Sequence, residues 1–230
     1  MDRKLTRQQA SDAVNDLGWR FVLGTLCTSV RVGSLSRAAA LAGQVVAACG
    51  DDADGHLGLD LRAGRLSLSL QTLDRAAVTA RDADLAARIS IAVEAAGFRT
   101  DPEVGAAGAR SVQLLEIAID ALDIPAVRPF WKTVLGYTDE PGAGPTDAVV
   151  DPAGQGPAIW FQQMDAPRPQ RNRIHLDISV PHDEAPTRIA ATLAAGGRLV
   201  SADSAPAFWV LADPEDNEAC ITTWQGRDAP

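Results

Sequence analysis

Cysteine is scarce: three of the 230 residues, Cys27, Cys49 and Cys220. An odd number in apolar or helical surroundings is no disulfide framework, and it fits reduced thiols in a cytoplasmic protein. Long apolar runs are missing as well. None approaches the roughly 18 residues of a membrane span, so no membrane partner is expected. Met1-Asp2-Arg3-Lys4-Leu5 is not followed by the apolar core of a signal peptide, which again points to the cytoplasm. Lysine supplies only two of the 21 basic residues, a bias of coding composition rather than of chemistry. What remains is ample for folding. Apolar residues make up 46% and charged residues 22% of the chain, which excludes a disordered segment and a fibre.

Charge and aromatics divide the chain. Residues 1–100 hold 12 basic and 11 acidic side chains, whereas residues 101–230 hold 9 and 19. A net-negative surface without an Arg/Lys stripe interleaved with aromatics repels phosphate backbones, so nucleic acid is not an expected partner. Eight of the 11 aromatics follow residue 129. Between the halves runs Thr100-Asp101-Pro102-Glu103-Val104-Gly105-Ala106-Ala107-Gly108-Ala109, just after a helix stop at Gly97. This predicts a first domain over 1–100, a linker over 101–110 and a second domain over 111–230.

In the first half Thr6-Arg7-Gln8-Gln9 fits a capping box that opens a helix closed near Gly18. Residues 19–23 and 25–32 form a strand pair around Gly24. Ser34 caps a helix over Leu35–Cys49, ended by Gly50. Strands follow at His56–Leu61 and at Arg65–Thr72, where Leu66, Leu68 and Leu70 alternate with polar residues. Thr79-Ala80-Arg81-Asp82 starts the last helix, with Leu85, Ile89 and Val93 on one stripe. The expected class is α+β, in the order α-β-β-α-β-β-α, with helices on one face of an antiparallel sheet.

Over residues 5–97 this order resembles pterin-4a-carbinolamine dehydratase. The residues that carry the likeness are Leu17-Gly18-Trp19, Leu66 through Asp74, and Val78-Thr79-Ala80-Arg81-Asp82-Ala83-Asp84-Leu85-Ala86. The resemblance implies catalytic histidines in a His-His-Pro triplet and in a Thr-His-Asp/Glu segment. Here those positions read Gly55-His56-Leu57 and Thr72-Leu73-Asp74. His56 and Asp74 are therefore the candidates for acid–base work, with His56 expected on an exposed turn. Eliminating water needs one group to protonate the leaving hydroxyl and another to take the amine proton, and neither Gly55 nor Leu73 can serve.

The second half repeats itself. Glu116-Ile117-Ala118-Ile119-Asp120 alternates as a strand and precedes a helix around Val127–Leu135. About 59 residues later Ile174-His175-Leu176-Asp177-Ile178-Ser179-Val180 alternates again and precedes a helix over Ala185–Ala195. Each copy then has a turn that begins Asp-Pro, at Asp151 and at Asp213, followed by an apolar strand. A duplicated βαβββ unit predicts two paired sheets around a cup. Phe130 and Trp131 sit at helical spacing and belong to the core. Arg171, Arg173, His175, Asp177 and Ser179 fall on one strand face, with Ile174, Leu176, Ile178 and Val180 on the opposite, core-packing face.

Residues 111–225 resemble the vicinal oxygen chelate superfamily, in its glyoxalase and bleomycin-resistance branch. The likeness rests on Asp120, Asp123, Leu135-Gly136-Tyr137, Asp151-Pro152, Arg173-Ile174-His175-Leu176-Asp177 and Trp209-Val210-Leu211-Ala212-Asp213-Pro214. It implies that Glu116, His175 and Cys220 occupy the family's metal-ligand positions. Such a set could bind zinc or another divalent metal on ligand chemistry, but expected oxygen ligands are missing, and the preferred reading has no cofactor. Three functions stay open. One is a small-molecule enzyme, of lyase, isomerase or cyclase type and at home in specialised metabolism, that uses Glu116 and His175, with Asp177 fixing the imidazole tautomer. Trp160, Gln162, Arg173, Trp209 and Cys220 would then contact the substrate. A second is a drug- or metabolite-binding protein without turnover. The third is pterin-carbinolamine dehydration by the first half. Both resemblances imply a homodimer.

Overall fold

The computed structural model describes residues 3–103, 111–167 and 174–226. The chain divides into two compact units, with the boundary between Leu114 and Leu115.

In the first unit Thr6 closes a capping box with Gln9 and opens helix α1 (Arg7–Val14). Gly18 then turns the chain at φ +75°; a Cβ here would lie 2.4 Å from the Thr100 carbonyl oxygen, so only glycine fits. Strands β1 (Arg20–Val22) and β2 (Thr25–Arg31) follow, then helix α2 (Leu35–Cys49), capped by the Ser34 hydroxyl. Strands β3 (Leu57–Arg62) and β4 (Arg65–Leu70) lead to helix α3 (Ala80–Ala95). The expected order α-β-β-α-β-β-α is what the chain adopts, with antiparallel sheet order β1-β2-β4-β3.

The alternation read in β4 is real: Leu66, Leu68 and Leu70 are buried beneath the helices with Leu41, Val45, Leu85 and Ile89. Each such side chain contributes about 1.5–3 kcal/mol relative to exposure. Trp19 is fully buried and donates from Nε1 to Ser90 Oγ on α3 at 3.0 Å. Past α3 the chain stays on this unit: the Asp101 amide donates to the Ser29 carbonyl at 2.8 Å, and Arg31 Nε meets Glu103 Oε1 at 2.7 Å.

The second unit contains the duplicated motif. One copy comprises β5 (Glu116–Ala121), α4 (Ile124–Leu135), β6 (Thr138–Asp139), β7 (Val149–Val150) and β8 (Ala158–Gln163). The other comprises β9 (Leu176–Ser179), α5 (Ala185–Ala194), β10 (Arg198–Ser201), β11 (Phe208–Ala212) and β12 (Glu218–Thr222). Their sheets run β5-β8-β7-β6 and β10-β11-β12-β9, with the first and last strands of each copy paired parallel. Helix α4 starts three residues before the expected boundary because Asp123 caps it and Pro125 suits its first turn.

A single core holds both copies. Ile119, Ile159 and Phe161 of one sheet share it with Leu211, Ala219 and Ile221 of the other, beneath Val127, Phe130 and Trp131. Phe130 and Trp131 are buried edge to face, as their spacing suggested. Polar bonds reinforce this core. Trp131 Nε1 donates to Asp213 Oδ2 at 2.9 Å, and the Glu215 carboxylate accepts the amides of Leu122 and Asp123 at the start of α4. Among the described residues no helix is long and apolar enough to cross a membrane.

Candidate functional sites

Strand parity sorts the second unit's side chains. In the parallel β5–β8 pair Glu116 lies beside Ala158, Ala118 beside Trp160, and Asp120 beside Gln162. Their neighbours Ile117, Ile119, Ile159 and Phe161 turn into the core. The face away from the helix therefore presents Glu116, Gln162 and the Trp160 ring, which is 37% exposed. An exposed indole between a carboxylate and an amide offers a stacking surface with polar groups to orient a flat ligand.

In the other sheet Asp177 lies beside Cys220, which in turn lies beside Val210, and Ser179 lies beside Thr222. Four expectations need correction here. Trp209 pairs with Ile221 and packs, partly buried, against the core, on the sheet face opposite to Cys220. His175 lies just before β9, and the carboxylate near it is Glu218, with Nε2 3.7 Å from Oε2. Asp177 is thus not the group that holds its tautomer. Ile174 is 79% exposed rather than core-packed, because β9 begins only at Leu176. Cys220 has the parity of the open face, yet it is buried there. Arg171 and Arg173 lie outside the described residues. No hydrogen bond or ion pair joins Glu116 to His175 among the described residues.

The donor set fits a metal poorly. Cys220 is buried, and no group of three or more His, Cys, Asp or Glu side chains is arranged to hold an ion among the described residues. A tetrahedral zinc site needs at least three such donors converging at about 2–2.3 Å.

The first unit holds a tighter constellation, and His56 is not the exposed turn residue expected. Its side chain is 10% exposed, and Nδ1 lies 2.7 Å from Oδ1 of the fully buried Asp82. The other oxygen, Oδ2, accepts the Thr79 amide at 2.6 Å, the Thr72 hydroxyl at 2.7 Å and the Thr79 hydroxyl at 3.1 Å. Asp74 does not partner His56. A 3-10 turn over Leu73–Arg75 carries it to the surface, while the third residue of α3 brings Asp82 in. The signal for Asp82 was present in the capping pattern Thr79-x-x-Asp82, where an acidic N3 residue reaches back to the helix start. Around this pair Asp52 binds Arg81 and Arg88. The Arg88 hydrogen bond is the main cause that keeps its carboxyl below the ordinary carboxylate range.

Comparison with known proteins follows the same division. The family profile of pterin 4 alpha carbinolamine dehydratase matches residues 3–92, and that of the glyoxalase-like domain matches residues 116–222. The chain joins a dehydratase-like half to a glyoxalase-like half. A glyoxalase/bleomycin resistance protein/dioxygenase family enzyme from Burkholderia phytofirmans PsJN is 21% identical over 47% of this chain and 95% of its own, with a TM-score of 0.39. A transcriptional coactivator/pterin dehydratase from Brucella melitensis is 22% identical over 39% of this chain and 98% of its own, with a TM-score of 0.35. The fosfomycin resistance protein FosX from Listeria monocytogenes is 13% identical over 48% of this chain and 89% of its own, with a TM-score of 0.36. No curated protein matches the chain.

Proposed function

We propose that the glyoxalase-like half receives a small, flat molecule on the open face of β5 and β8, and that Glu116 takes a proton from it without a metal. The observation that carries this reading is the exposed Trp160 ring, which shares its sheet face with Glu116 and Gln162. The indole supplies contact area, Gln162 a donor and an acceptor, and Glu116 a base. His175 would return the proton in a lyase, isomerase or cyclase reaction. The test is a two-part substitution. With a ligand found by mass spectrometry of the purified chain, W160A should weaken binding at least tenfold. E116Q should leave binding within a few-fold and lower turnover by about 10²–10⁴. Unchanged binding in W160A sinks the reading.

A second reading, binding without turnover, is favoured by His175. It is 37% exposed, and its 3.7 Å approach to Glu218 is longer than a hydrogen bond. No reaction in wild type, with intact quenching of tryptophan fluorescence, would decide for it. Both resemblances imply self-association, and sedimentation velocity on the full chain tests for a homodimer.

A further inference from the structure

We propose that His56 is a one-base proton-transfer site in the dehydratase-like half, suited to enolising a small carbonyl or imine compound and not to eliminating water.

Geometry selects the working atom. Asp82 faces Nδ1 at 2.7 Å, and a carboxylate that accepts there places the ring proton on Nδ1. The lone pair is then on Nε2, which has no partner among the described residues. Among the described residues the buried side-chain atoms left without a partner are Ser29 Oγ and Arg65 Nε, and His56 Nε2 is not one of them, so it is open to solvent. The preceding residue, Gly55, carries no side chain, and a Cβ built on it would meet no atom within 4 Å beyond its chain neighbours. The ring is pinned through its backbone as well, since its N–H donates to the Ala53 carbonyl and its carbonyl accepts the Gln71 amide. Asp82 cannot swing away, because three donors hold its second oxygen.

Among the described residues, the positions where the dehydratase resemblance expects further catalytic histidines supply no second acid or base. Position 73 is a leucine, 56% exposed, and position 55 has no side chain. Asp74 is at the surface. Asp52 is bound by two arginines and stays ionised, so it is no proton donor. The hydroxyls of Thr72 and Thr79 are committed to each other and to Asp82. One imidazole can still catalyse a proton shift. Nε2 takes a proton from the carbon next to a carbonyl; that C–H pair becomes the C=C bond, and the carbonyl π pair moves to oxygen. The imidazolium returns the proton to that oxygen. The product is the enol, with no change in oxidation state and no co-reactant. Asp82 is a positioning residue in this scheme.

The test uses the full chain with phenylpyruvate as probe, following solvent deuterium uptake at its methylene carbon by NMR. Wild type should exchange at least tenfold faster than equimolar imidazole, and H56Q should fall to the imidazole level. D82N should lose at least tenfold in rate while H182A keeps the wild-type rate. A readout independent of activity is the nitrogen-15 signature of His56. It should report a protonated Nδ1 and a bare Nε2 in wild type, and a changed tautomer balance in D82N. L73H supplies the missing second group and should confer measurable pterin-carbinolamine dehydration that wild type lacks. Exchange at the imidazole level in wild type, a proton on Nε2, or fast dehydration by wild type would each overturn the proposal.

Discussion

Asp213 accepts four hydrogen bonds, from Trp131 Nε1, the amides of Glu215 and Asn217, and the Asn217 side chain, and it is fully buried. D213A leaves the indole N–H without an acceptor inside the core. It should destabilise the glyoxalase-like half by about 2–4 kcal/mol, read from urea denaturation followed by tryptophan fluorescence. A loss under about 1 kcal/mol would mean that water replaces the carboxylate. At this scale the sequence was informative about residue type and poor about partners. The Asp-Pro turn marked Asp213 as a turn residue, but nothing local linked it to Trp131, 82 positions away. His56 was legible as a candidate, and its partner was misplaced. Asp74 is adjacent to the motif that names it, whereas Asp82 arrives through the start of a helix.

Among the elements, parity was readable and the open face was not. Alternation along β5 and β8 separates Glu116 and Trp160 from Ile119 and Phe161, as the sequence implies. Trp209 looked equivalent to Trp160, yet its register against Ile221 turns it inward, and register between distant strands is not written in either strand alone. Helix packing makes a sharper prediction. A Cβ on Gly197 would lie 2.6 Å from Phe130 Cδ2 and 2.9 Å from the Thr192 carbonyl, so α5 approaches α4 closely only because position 197 is bare. G197A should cost about 1–3 kcal/mol by overpacking, and G197A/F130L should recover part of it in the same denaturation assay. The end of α4 gives a pH dependence. Lys132 and then Arg128 hold the Asp139 carboxyl below its ordinary range by hydrogen bonds. A group whose folded pKa is depressed contributes stability above the unfolded value, about 3.9, and loses it as pH falls through the folded value. D139N should therefore flatten the loss of stability below about pH 4. The effect should stay below about 1 kcal/mol, because Asp139 is 46% exposed and solvent screens the pair.

On the scale of the whole chain, two cores and an uneven charge distribution set the behaviour. Leu26, Leu41, Leu66 and Ile89 belong to one core, and Ile119, Phe130, Leu211 and Ile221 to another. Each half carries its own sheets and buries its own tryptophan, Trp19 in one and Trp131 in the other. Fragments 1–110 and 111–230, expressed alone, should each unfold cooperatively. Their responses to salt should differ. Residues 1–110 are balanced, with 13 basic and 13 acidic side chains, whereas residues 111–230 hold 8 and 17. Self-repulsion among the excess carboxylates opposes compaction of the second fragment. Raising the ionic strength from about 0.01 to 1 M shortens the screening length from about 30 to 3 Å, which removes most of that repulsion while leaving the apolar cores intact. The melting temperature of the 111–230 fragment should therefore rise more than that of 1–110 over this range, measured by calorimetry in sodium chloride. Equal shifts would mean that its acidic groups are already compensated by ion pairs such as Arg198–Asp216 and Arg188–Glu184. A cooperative second fragment with no salt response would therefore separate the architectural claim, which would stand, from the electrostatic one, which would fall.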